Sequence, residues 1–192
     1  MPIMPNDPPP ARPSAALLAA LNAVPSVLWS GLALGPLSVF CYQHVARPWL
    51  WGLLGVSLLG YAVPRSWFRY WQLSRARRRY ERLGVPVVAR FTQHGTLVHQ
   101  WLRRRYPHYR RVPHRQAGRR LVAESYHLER FHGVLLVFFG LVSLYALMRG
   151  HLGWAGLLLV LNVGYNLYPV WLQQYLRLRL PPTDAAVNSR SG

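Results

Sequence analysis

Residues 152–180 read LGWAGLLLVLNVGYNLYPVWLQQYLRLRL. At about 100° per residue, Asn162, Tyr165, Asn166, Pro169 and Gln173 fall within roughly 100° of arc on one helix face. Leu157, Leu158, Leu159, Val160, Leu161 and Val163 precede or flank them. A helix this apolar belongs in a bilayer. Amides in a bilayer are costly unless they meet each other, a neighbouring helix or a ligand. The stretch therefore predicts a membrane helix whose polar face either lines a site or binds another helix across the bundle.

The rest of the chain agrees with a membrane setting. Of its 192 residues, 52% are hydrophobic, yet the formal net charge is +18. The apolar residues and the charges occupy different segments, which soluble domains rarely show. Four hydrophobic segments stand out, at about 15–42, 48–64, 131–148 and 153–175. They predict an all-α integral membrane protein with about four transmembrane helices, in a single membrane domain over 15–180. The second segment is short, because about 15 residues cover only roughly 22 Å of a core about 30 Å thick. Trp67, Phe68, Tyr70 and Trp71 follow it as an interfacial belt, and a re-entrant hairpin is the other reading. Pro25 and Pro36 are expected to kink the first segment.

Between the second and third segments lies a basic region, 65–120. All 23 basic residues of the chain are arginine, and most of them lie here. The positive-inside rule places this region, Arg177, Arg179 and both termini in the cytoplasm. RYWQLSRARRRYERLGV (69–85) reads as a helix lying in the headgroup layer. VPVVARFTQHG (85–95) reads as a short strand. The Pro-rich residues 1–14 and residues 181–192 are expected to be flexible tails, the first of them not a secretory signal. The aromatics adjoin the apolar segments, where bilayer anchoring explains them, so nucleic acid is not an expected partner. Attraction to anionic lipid accounts for the arginines, and docking of a phosphorylated donor is compatible with it.

Candidates for chemistry are few. The carboxylates are Asp7, Glu81, Glu124, Glu129 and Asp184, and Cys41 is the single cysteine, inside an apolar run. Just before the third segment comes LVAESYHLERFHG (121–133). Glu124 and His127 are spaced i, i+3 and share a helix face that Phe131 continues. A glutamate there can fix the tautomer of the imidazole, which then takes a proton from a hydroxyl. The plainer reading is a helix start among lipid headgroups, with the glutamate favoured near the N-terminus. A second Glu-x-x-His pair is missing, which argues against a di-metal centre. His132 adds little by spacing alone, and His94, His99, His108 and His114 lack metal-ligand spacing.

Ala123 to His127, a hydrophobic segment, and then the pattern Asn-x-x-Tyr-Asn-x-Tyr-Pro-x-x-x-Gln-Gln-Tyr-x-Arg-x-Arg-Leu from Asn162 to Leu180 resemble the glycosyl-4,4'-diaponeurosporenoate acyltransferase family. Pro64-Arg65-Ser66-Trp67-Phe68, Tyr80-Glu81-Arg82-Leu83-Gly84 and Trp101 to Tyr109 extend the resemblance to about 48–180. One departure lies in Gln173-Gln174-Tyr175-Leu176-Arg177, where the family's pattern is Gln-Arg-Tyr-Asn-Arg. The resemblance implies a membrane acyltransferase that moves a fatty acyl group to a sugar hydroxyl of a glycosylated carotenoid or similar lipid-soluble glycoside. The donor would be a thioester, acyl-CoA or acyl carrier protein, and no bound cofactor or metal is expected. His127 would be the base and Glu124 its orienter. Asn162, Tyr165, Asn166, Gln173 and Tyr175 would bind substrate, and Arg177 and Arg179 would hold donor phosphates. Expected partners are membrane lipid, the glycoside acceptor, the acyl donor and other carotenoid-pathway enzymes, in the bacterial cytoplasmic membrane. The alternative is a non-enzymatic assembly or anionic-lipid-binding protein, in which the amides only pack helices.

Overall fold

The computed structural model describes residues 13–91, 102, 104–106 and 115–180. The two tails, apart from Pro13 and Ser14, and much of the basic region, with His94, His99, His108 and His114, lie outside the described residues. Helix α1 spans Ala15–His44, capped by the Ser14 hydroxyl, which accepts from the Leu17 N–H at 3.2 Å. Helix α2 spans Arg47–Leu58 and runs into a 3-10 turn, Leu59–Ala62. A second 3-10 segment covers Arg65–Arg69. Short helices α3 (Arg77–Arg82) and α4 (Val85–Val88) follow. Helix α5 spans Arg115–Met148. Helix α6 (Leu152–Asn162), a π turn (Val163–Leu167) and α7 (Tyr168–Arg179) form one continuous rod.

Among the described residues, three helices are long and apolar enough to cross a membrane: Ala16–His44, Arg120–Met148 and Leu152–Arg179. The second hydrophobic segment is not among them. Its α-helical part has 12 residues, about 18 Å at 1.5 Å per residue. It packs lengthwise on α5. Trp49 meets Tyr145 at a ring separation of 6.2 Å, and Gly60 approaches Val134 so closely that a Cβ would sit 2.9 Å from the valine Cγ2. Beyond the 3-10 turn, the Val63 carbonyl accepts from Arg130 Nη2 at 2.8 Å. The chain thus returns to the level of Arg130 by a short helix and an extended step.

The connection from α5 to α6 is tight. Gly150 adopts φ 79, and the Gly150 and His151 N–H groups reach back to the Leu147 and Ala146 carbonyls at 3.0 and 2.9 Å. This pairing ends a helix with a left-handed glycine and lets the next one start at once. The core between α1, α5 and α6 is apolar: Leu37, Phe40, Phe139, Val142, Ala146 and Leu158 are buried there.

Two expectations for residues 69–95 are corrected. The stretch 69–85 is not one interfacial helix, because its middle is pulled into the protein. The Leu73 N–H donates to Gln174 Oε1 at 3.1 Å, and the Ser74 N–H donates to the Tyr80 hydroxyl at 3.1 Å. Backbone groups satisfied by side chains need no helical partner. Residues 85–91, expected to begin a strand, form α4 and a 3-10 turn. Gly84, at φ 72, makes the sharp corner between α3 and α4, and the Tyr168 hydroxyl donates to the Leu83 carbonyl beside it.

Candidate active site

The polar residues of α5 and of the α6–α7 rod run from one end of the bundle to the middle of these helices. Helix α5 carries two different faces there. Arg120, Glu124, His127 and Phe131 are exposed, and they do share one side of the helix, as their spacing requires. Ser125, Glu129 and His132, spaced i, i+4 and i+7, turn toward the α6–α7 rod. Ser125 and Glu129 are buried and His132 is half-buried.

Glu129 is 1% exposed and sits in a full set of partners. It forms an ion pair with Arg177 and accepts from Gln174 Nε2 at 2.7 Å. Arg177 Nη1 also donates to Ser125 Oγ at 3.3 Å, and the guanidinium lies 4.1 Å from the centroid of the Tyr126 ring. Gln174 Oε1 accepts from the Tyr80 hydroxyl at 3.0 Å as well as from the Leu73 N–H. Burial pushes the Tyr80 phenol above its ordinary value, so it stays a neutral donor. Tyr175 donates to Glu81 Oε1 at 3.2 Å, and Arg77 Nε donates to the Leu178 carbonyl at 2.8 Å. One buried carboxylate and one amide therefore tie α5, α7 and the segment 73–81 together. A buried charge is tolerable only with such a set of partners.

A second network lies about one turn further along α5. Asn162 Nδ2 donates to the Leu136 carbonyl at 3.0 Å. Asn166 Nδ2 donates to Asn162 Oδ1 at 2.8 Å, and Asn166 Oδ1 faces His132 Nδ1 at 3.4 Å. Tyr165 stacks edge-on against the His132 ring at 5.7 Å, and its hydroxyl meets Ser30 Oγ of α1 at 2.8 Å.

The π turn sets the register of this wall. Pro169 has no N–H to give to the turn before it, and the helix widens there: the Tyr168 N–H reaches back five residues to the Val163 carbonyl. The extra residue shifts the buried stripe by one position. It runs through Asn162, Asn166, Val170 and Gln174, all buried, instead of continuing through Pro169 and Gln173, which are half-buried.

Of the residues singled out from the sequence, the structure brings Asn162, Tyr165 and Asn166 together. It leaves Gln173 half-buried about two turns further along the rod, and buries Tyr175 against Tyr80. Arg177 spends its charge on Glu129, while Arg179 is exposed and lies 5.6 Å from the centroid of the Tyr175 ring. Glu124 and His127 stand on the exposed side of α5, away from the asparagines. Sequence reasoning missed Ser125, Glu129 and Gln174, and discounted His132. Their signal was present as the i, i+4, i+7 spacing on α5, opposed by Gln174 and Arg177 three apart on the partner helix.

Comparison with protein-family models matches residues 64–183 to the glycosyl-4,4'-diaponeurosporenoate acyltransferase family. Comparisons with curated proteins and with solved structures found no match. The matched span takes in the 3-10 segment at Arg65–Arg69, the segment tied to Gln174, all of α5 and the whole α6–α7 rod, and so both polar networks, with only Ser30 contributed from outside. The chain therefore belongs to the glycosyl-4,4'-diaponeurosporenoate acyltransferase family, a family of acyltransferases.

Proposed function

We propose that this protein is an integral membrane acyltransferase that moves a fatty acyl group from a thioester, acyl-CoA or acyl carrier protein, to a sugar hydroxyl of a glycosylated carotenoid. The observation that carries this reading is the polar wall, Asn162, Tyr165, Asn166 and His132, set midway along span-length apolar helices, whose basic end begins at Arg130, within the matched region. A lipid-soluble glycoside has an apolar body for the helices and a polar head for such a wall. The arginine bias puts this end at the cytoplasmic face of a bacterial membrane, with both termini there, where thioester donors are made.

In this reading Gln173 and the neighbouring amides meet the sugar. Arg179 and the arginines of the basic region receive the donor's phosphates, bidentately where the geometry allows. Arg177 holds the wall in place through Glu129. An imidazole near this end of α5 takes the hydroxyl proton. His127, with Glu124 to orient it, is the one open to a sugar arriving from the headgroup layer. His132 is the other imidazole there, and one observation favours it over His127: its Nδ1 faces a side-chain acceptor. The test is expression in cells that make a carotenoid glycoside, followed by mass spectrometry of extracted pigments. A gain of one acyl group on the glycoside is expected. Pigments unchanged in mass, with the protein present in membranes, would remove the reading for that acceptor.

A further inference from the structure

We infer that His132 is the general base of the transfer, held in a single tautomer by a relay of two asparagines. The inference rests on the acyltransfer reading above. The Leu136 C=O can only accept, so the Asn162 group facing it at 3.0 Å is the NH2. Asn162 Oδ1 then points to Asn166, which must present its own NH2, at 2.8 Å. Asn166 is left with Oδ1 toward His132 Nδ1, at 3.4 Å. An acceptor opposite a ring nitrogen calls for N–H at that nitrogen. In the neutral ring the proton therefore sits on Nδ1 and the lone pair on Nε2.

The surroundings suit a substrate that arrives sideways from lipid. His132 is half-buried, and Leu128, one turn earlier on α5, is 39% exposed. The Ser30–Tyr165 bond pins α1 to the widened turn above, while the first half of α1 exposes Val24, Val27 and Leu28. The step balances. The sugar O–H proton goes to Nε2 as the oxygen attacks the thioester carbonyl. The C–S bond breaks, and the departing thiolate takes the proton back from Nε2. The products are an ester and a free thiol. By this account the asparagines are positioning residues, acting through the ring.

The test uses full-length protein in detergent, a purified glucosyl carotenoid and a fatty acyl-CoA, with initial rates measured across pH. His132→Gln should lose on the order of 10²–10⁴-fold in kcat, with the acid limb of the rate profile gone. Asn166→Ala should lose less and move that limb. His151→Gln, at the far end of the bundle, serves as a histidine control and should match wild type. Near-wild-type turnover by His132→Gln overturns the inference. So does an unshifted pH limb in Asn166→Ala, which decides the matter if His132→Gln does not fold. Loss in His127→Gln with the limb intact in His132→Gln hands the base to His127. Absence of ester with wild type sinks the acyltransfer reading and the inference with it.

Discussion

The two faces of α5 at its basic end differ sharply, although they share the same dozen residues. Glu124 and His127 form the more familiar motif, yet they stand exposed. Ser125, Glu129 and His132 make no motif, yet they meet Arg177, Gln174 and Asn166 across the interface. Spacing places residues on a common face, but the facing helix decides which face has chemistry to work with. A buried carboxylate needs several donors at once, and only the α7 side supplies them.

The comparison can be broken most forcefully at Glu129. Glu129→Ala leaves the Arg177 guanidinium without its carboxylate inside the bundle, and should cost about 3–5 kcal/mol, read as a fall in thermal midpoint in detergent. A loss under about 1 kcal/mol would mean the pair is hydrated and the inner face no different from the outer. Gln174→Leu should cost about 1–3 kcal/mol, because Tyr80, the Leu73 N–H and Glu129 each lose a partner. Proteolysis of the segment 73–81 should speed up in this variant, since Gln174 accepts two of the hydrogen bonds that hold it to α7. Tyr175→Phe removes one hydrogen bond, to Glu81, and should cost about 1 kcal/mol. Glu124→Ala should stay within about 0.5 kcal/mol of wild type, as exposed substitutions do. A large destabilisation there would show that the outer face is covered in the membrane.

Much of this was legible without coordinates. Long apolar runs separated from arginines announce span-length helices, because a bilayer core admits about 20 apolar residues and few charges. The Asn162–Asn166 pair, four apart, was legible as one face, and the structure joins the two side chains. The second segment was harder. Its 12-residue helix reads as apolar, but only its contacts with α5, among them the close approach of Gly60 to Val134, show that it lies along that helix. The segment 69–85 looked helical by pattern, yet side chains of α3 and α7 took its backbone groups.

The sequence by itself determined the helical class, the apolar lengths, the basic end and the angular relations within each helix, because these follow from composition and a fixed rise and turn per residue. The tertiary structure alone decided which face of α5 points inward and where the polar stripe runs after Asn166. A periodicity carries no absolute direction, so Glu124–His127 and Ser125–Glu129–His132 are equivalent until a second helix packs on one of them. A single π turn before Pro169 then inserts one residue and turns the stripe from Gln173 to Gln174, a shift that a constant 100° per residue does not contain.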